Sequence, residues 1–285
     1  MNQEQIRLMV RGVYDVQKLR IMMGNRLVGN WKVKAGQHPG EPEEEITEDG
    51  KVILAKLRAS HNRLADAITS RTRTMIGDGV IDSLTEFELV DAYVRTCDAE
   101  EQILRAIRRE VHGQPIWIAF LEEVKGCGEL MSAVILSEID IHKARHRSSL
   151  YRYAGLDVGP DGRGRSRRAD HLVDATYTDK AGDEQTRKSI TFNPFLKTKL
   201  VGVLGSSFLK CSSPYRAWYD QERHRCESMT EPDGKPMGKL HAHNRATRKM
   251  VKAFLDDLYV AWRTLEGLPV SASYAETHLG IVHGQ

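Results

Sequence analysis

The chain of 285 residues is short of several things, and each shortage narrows what it can be. It has four cysteines, Cys97, Cys127, Cys211 and Cys226, none in a C-x-x-C pair. That scatter excludes a zinc-ribbon pattern and argues against a disulfide framework. Cys211, Cys226 and His224 make the one arguable metal grouping; isolated reduced thiols are the simpler reading, so no metal site is assigned. No apolar run approaches the ~20 residues of a membrane helix. The opening MNQEQIRLMVRG is charged where a secretory leader would be apolar. A cytoplasmic protein without a membrane partner is expected. Net charge is only +3, so any affinity for nucleic acid must come from local patches. There is no aromatic platform of the RNA-binding kind, no repeat and no low-complexity tract. What remains is ordinary globular composition, 40% hydrophobic and 28% charged, enough for one large or two modest domains.

Apolar periodicity sets the organisation. Ile6, Met9, Val10, Val13, Val16, Met23 and Leu27 recur at threes and fours, which predicts a helix over residues 3–28 within an N-terminal segment 1–34. Residues 35–50, AGQHPGEPEEEITEDG, read as an acidic linker. A helix over 51–76 puts Leu54, Leu57, His61, Leu64 and Ile68 on one stripe and Arg58, Arg63, Arg71 and Arg73 on its polar face. Gly77-Asp78-Gly79 ends it. A third helix begins at Ser83, with Glu86 three residues on as a capping box. Together, residues 51–114 are expected to form a long helical hairpin of coiled-coil character, with His61 packed rather than ligating. Residues 115–266 make the next domain, and 267–285 a loosely ordered tail.

Within 115–266, residues 117–156 read as helix, tight turn, helix, basic connection, helix. The turn is Gly126-Cys127-Gly128, where glycine allows a sharp reversal with backbone N–H groups facing outward. The next helix starts at about Glu129, with Leu130, Val134, Leu136 and Ile139 on its apolar side. Its first turn favours an anion. Lys143, Arg145, Arg147 and Arg152 follow. The glycine-rich loop beyond carries Arg163, Arg165, Arg167 and Arg168, so residues 143–168 hold eight Lys/Arg against Asp157 and Asp161. Such a run can lie along phosphates. The competing readings are a plain αα-corner for the turn and a surface loop for the arginines. Residues 172–192 alternate as a β-hairpin turning near Lys180-Ala181-Gly182-Asp183, with Arg187 and Lys188 on its second arm. A helix follows from about Asn193, with Pro194 in its first turn. Tyr215, Trp218 and Tyr219 share one side of a helix after Pro214. The closing helix, about 241–264, presents Arg245, Arg248, Lys249 and Lys252 near its start. The fold class is therefore mainly α: N-terminal helices and a helical hairpin, then a helix-hairpin-helix-type domain with one small β-hairpin.

V-K-G-C-G-E-L-M-S-A-V-I-L-S-E-I, followed about ten residues later by S-S-L-Y-R-Y-A-G-L, resembles the C-terminal domain of the bacterial insertion-sequence transposases related to the Piv DNA invertases. Val124, Gly126, Gly128, Ala133, Glu138, Tyr153, Ala154, Gly155 and Leu156 carry the likeness. P-Y-R-A-W-Y-D-Q-E-R and H-N-R-A-T-R-K-M-V-K-A-F-L extend it more weakly, so it covers roughly residues 117–265. Full-length members of that family begin with a RuvC-like domain bearing four acidic metal ligands. Here no early strand run ends in an aspartate. Asp66, Asp78, Asp82, Asp91 and Asp98 sit in helical or turn contexts, so the chain is expected to hold the later parts without that domain.

The resemblance implies a serine that attacks DNA to form a phosphoserine link. Ser166, in G-R-G-R-S-R-R, has cationic neighbours; Ser189, in T-R-K-S-I-T, is the rival. The expectation is a transposase- or recombinase-related DNA-binding protein, self-associating through its helices, with serine-dependent strand transfer an open question. The alternative is a non-catalytic binding or assembly factor, accessory, regulatory or phage-borne, derived from such a transposase. DNA is the expected partner, with structured RNA the rival. No cofactor is expected in this chain, and Mg²⁺ enters only if it is catalytic.

Overall fold

In a computed structural model, which describes residues 3–41, 43–68, 77–159, 161–230 and 234–272, the chain is mainly helical with one small antiparallel sheet, as its patterning predicts. Residues 69–76 of the expected second helix, with Arg71 and Arg73, and most of the expected tail lie outside the described residues. No described helix is long and apolar enough to cross a membrane.

The chain divides into two compact units, Leu8–Arg108 and a second made of Met1–Arg7 with Arg109–Gln285. In the first, α1 (Gln3–Lys34), α2 (Glu48–Ile68) and α3 (Leu84–His112) share a core. Leu27 and Val28 meet Leu54, Leu57, Leu64, Ile81, Val90 and Tyr93 there. Polar pairs fix the antiparallel register of α1 and α2 on α3: Arg20 with Glu100, Lys34 with Glu86 at 3.0 Å, and Arg58 with Asp98 at 3.2 Å. The α3 start is capped nearly as expected. The Glu86 N–H donates to Ser83 Oγ (3.2 Å), while the Glu86 carboxylate accepts from the Asp82 N–H, one residue earlier than a strict capping box. His61 is buried, stacked on Phe87 and in contact with Asp91, as a packed histidine should be.

The second unit is built around α5 (Glu129–Glu138) and α10 (Lys239–Leu265). α5 is not the one-sided helix its sequence suggests: every residue from Met131 to Glu138 is buried. Its last carbonyls are met by α1's first turns, where Gln3 donates to Leu136 and Ile139 and Arg7 to Ser137. α6 (Arg147–Tyr153) ends in a Schellman motif, which explains Y-A-G-L. Gly155 takes φ +64° at C′, its N–H donates to Arg152 O, and the Leu156 N–H donates to Tyr151 O. Leu156, the residue after the glycine, is then buried.

β1 (Val173–Thr178) and β2 (Glu184–Ser189) form the hairpin, in register Val173↔Ser189 to Thr178↔Glu184. Asn193 caps α7 (Pro194–Thr198) through its side chain. α7 runs through a π-helical stretch, Lys199–Leu204, into α8 (Gly205–Lys210). Leu196, Leu200, Leu204 and Phe208 lie along this rod and are fully buried. A strict spacing of four drifts by about 40° per step on an α-helix, and the wider π turns take that drift back. α9 (Arg216–Glu227) packs on α10, and Phe208, Tyr215 and Phe254 form an aromatic cluster with centroids 5.2 to 5.6 Å apart.

Candidate nucleic-acid interface and serine site

The glycine turn joins α4 (Pro115–Ala119) and a 3₁₀ turn to α5. Gly126 has φ +97°, and a Cβ there would lie 2.8 Å from Cys211 Sγ and 3.0 Å from Phe208. Its carbonyl accepts from Ser207 Oγ at 2.8 Å, so the turn is seated on α8. Gly128 is the opposite case: it is exposed, with nothing within 4 Å of a built Cβ. Cys127 is buried between them, and burial pushes its thiol up to about 12, against an opposing contact from Ser132. The first turn of α5 therefore opens to solvent at Gly128. Glu129 stands there already, 3.7 Å from His112. A carboxylate in a first helical turn takes up part of the dipole field that a phosphate would use.

The cations sort into two groups. Lys143 pairs with Asp140 at 3.3 Å, Arg165 with Asp157 at 2.9 Å, Arg168 with Asp161, and Lys188 with Asp174 at 2.8 Å. Arg187 lies over the Tyr177 ring and Lys249 over Trp218. Arg147 lies over Tyr259, its Nε buried with no partner among the described residues. Arg145, Arg152, Arg163 and Arg167 are exposed, and no ion pair joins them among the described residues.

The arginine loop is folded back on itself. Val158 and Gly164 form a β-bridge, the Gly159 N–H donates to Arg163 O, and the Arg165 N–H donates to Asp157 O. Two helices hold it from beneath. Lys197 of α7 donates to Arg165 O, and the Arg248 guanidinium of α10 fills the space a Gly164 side chain would need, 1.3 Å from a built Cβ. Lys252 lies over the Tyr151 ring at 4.9 Å. Lys197, Arg248 and Lys252 form a half-buried cationic cluster. Desolvation first, then mutual repulsion through Arg248, draws both lysines below their ordinary range. Desolvation and Arg245 do the same to Arg248. Asp157 is the nearby anion, and its Oδ1 is buried without a partner among the described residues.

Ser166 follows Arg165 in this loop. Its Oγ lies 3.0 Å from Nδ1 of the buried His171, and its Oγ accepts from the Arg168 N–H at 3.3 Å. The other ring nitrogen, Nε2, lies 3.0 Å from Asp161 Oδ1. The Arg163 N–H, ahead of an opposing desolvation, and then His171 and Arg168 hold the Asp161 carboxyl down at about 2. Ser189 has a different setting. It ends β2, and among the described residues its Oγ donates only to the neighbouring Ile190 carbonyl at 3.5 Å. Sequence patterning singled out neither His171, Asp161 nor Lys197; a lone histidine five residues beyond a serine carries no signal of its own. Among the described residues no group of three or more His, Cys, Asp or Glu side chains gathers to hold a metal ion.

Residues 118–193 match the family model described as Transposase IS116/IS110/IS902 family. That supports a transposase-family domain over this stretch, which contains the turn, Y-A-G-L, the arginine loop, both candidate serines and the β-hairpin. The match ends at Asn193, so Lys197, Arg248 and Lys252 lie beyond it. No curated protein and no solved structure matches the chain.

Proposed function

We propose that the chain is a transposition-related DNA-binding protein whose Ser166 serves as nucleophile in strand transfer. The carrying observation is the seating of Gly164 and Arg165, the two residues before Ser166, against the cations Arg248 and Lys197. Phosphoryl attack concentrates negative charge on the phosphate oxygens, and preorganised cations at that point lower the barrier. Residues 115–266 form the nucleic-acid-binding domain in this reading. Gly126, Cys127, Gly128 and Glu129 give the helix-hairpin-helix-type turn. Arg145, Arg152, Arg163 and Arg167 grip the backbone outside it, the paired Lys143, Arg165, Arg168 and Lys188 shape the surface, and Arg187 and Lys249 lie at its edges. The helices of residues 51–114 serve self-association, and Mg²⁺ enters through acidic ligands from another subunit.

The test is strand cleavage of end-labelled duplex and branched DNA by wild type, Ser166→Ala and Ser189→Ala, with Mg²⁺. Loss in Ser166→Ala alone supports the proposal. Cleavage that survives Ser166→Ala overturns it. DNA binding without cleavage leaves the non-catalytic binding factor as the function, and preference for structured RNA over DNA replaces the partner.

A further inference from the structure

We propose that His171 is the general base that takes the proton of Ser166, with Asp161 as the residue that positions it. The inference rests on Ser166 as the reacting serine. The Ser166 backbone N–H and the Asp161 carboxylate together favour one tautomer. The Ser166 backbone N–H, which can only donate, points at His171 Nδ1 at 3.0 Å. Nδ1 must therefore present a lone pair, and the ring proton sits on Nε2, where Asp161 Oδ1 accepts it at 3.0 Å. The same lone pair is 3.0 Å from Ser166 Oγ, so it can take the hydroxyl proton. Serine, imidazole and carboxylate thus stand in the relation that activates a hydroxyl, with the two ring nitrogens in exchanged roles compared with the serine proteases.

The surroundings hold this arrangement rigidly. The His171 side chain has no solvent exposure. Its ring lies against Gly159, where a built Cβ would be 2.5 Å from Nε2, so only glycine leaves the ring its place. Among the described residues the charged groups facing the ring are Asp161 and Arg168, whose guanidinium is 3.2 Å from Nε2 and also binds Asp161. Asp161 is itself fixed by the Arg163 N–H at 3.0 Å. On attack, the Oγ–P bond forms as the O–H proton passes to Nδ1. The bond from phosphorus to the leaving strand's sugar oxygen then breaks, and that oxygen takes the proton back from the imidazolium. No oxidant or further reactant is required.

The test uses the full chain and a fluorophosphonate probe, which reports serine activation without any DNA. The probe forms an Oγ–P bond and releases fluoride, and peptide mapping locates it. Wild type should be labelled at Ser166. His171→Gln, which keeps hydrogen-bonding capacity but not basicity, should slow labelling by about a hundredfold or more, and Asp161→Asn by at least about tenfold. A pH series separates proton transfer from mere loop support. The wild-type and His171→Gln profiles should differ in shape, the variant's labelling rising about tenfold per pH unit as hydroxide replaces the base. Circular dichroism checks that each variant is folded. Absence of Ser166 labelling in wild type, or equal rates and parallel pH profiles in His171→Gln, overturns the proposal. Because the DNA assay on Ser166→Ala is separate, Ser166-dependent cleavage combined with indifference to His171 would sink this inference and leave the nucleophile in place.

Discussion

Replacing Arg163 and Arg167 together with alanine should change how DNA binding responds to salt, and the size of the change follows from the pairing of each arginine. Both side chains are exposed and make no ion pair among the described residues. Each is therefore available to displace one counterion from DNA, which contributes about 0.9 to the slope of log K against log salt. The double variant should lose about 1.8 of that slope. Between 50 and 200 mM salt, wild-type affinity should fall about tenfold more than the variant's. Arg165 is the control. It is 18% exposed and held by Asp157 at 2.9 Å, so its cation is already neutralised. Arg165→Ala should leave the slope within about 0.3 of wild type, while destabilising the fold by about 1–3 kcal/mol through the orphaned carboxylate. Fluorescence anisotropy over a salt series, with thermal melts of each variant, measures both quantities. A slope loss in Arg165→Ala as large as in the double variant, with the fold intact, would refute the division of these arginines into grip and scaffold.

The two turn glycines should respond oppositely to alanine. At Gly126 a positive φ and a 2.8 Å approach to Cys211 combine, for a cost of about 2 kcal/mol or more; at Gly128 the change should stay within about 0.5 kcal/mol, and equal melting shifts would contradict the turn described. Phe254→Ala opens the aromatic cluster at a fully buried site and should cost about 3–5 kcal/mol in denaturant unfolding. Asp161 has its folded carboxyl held at about 2, below its unfolded range, so its contribution is present above about pH 4 and is lost as pH falls through 2. Asp161→Asn should abolish that acid-range change, which the chemical shifts of loop residues would report. Cys127, buried with its thiol raised to about 12, should resist thiol reagents at pH 8 until the chain unfolds, and rapid labelling of the native protein would count against its burial.

Local requirements are what the sequence made legible. Gly126 announces a turn because only glycine takes its φ cheaply, and Pro194 announces a helix start because it lacks the N–H the first turn does not need. The β-hairpin is visible in its alternation. α5 is where periodicity misleads: a ten-residue helix buried on all sides carries serines and a glutamate that look like an outer face, yet Ser137 bonds to Val134 O and Glu138 accepts from Asn193 at 2.5 Å. The candidate site was half visible. The arginine run and Ser166 stand out by composition. Which arginines are spoken for does not, because Arg165–Asp157 and Arg168–Asp161 exist only once the loop folds back. Lys197 and Arg248 come from helices well separated in the chain, and no spacing rule joins them to Gly164 and Arg165.

The most direct test of the account is the mass of the protein–DNA adduct. Wild-type chain would be incubated with DNA and Mg²⁺, denatured, digested with protease and nuclease, and its peptides analysed for a nucleotide joined through phosphate. The account predicts that the peptide containing Ser166 carries the added nucleotide and that Ser166→Ala carries none. A nucleotide on the Ser189 peptide, or strand transfer with no adduct on any serine, would contradict it.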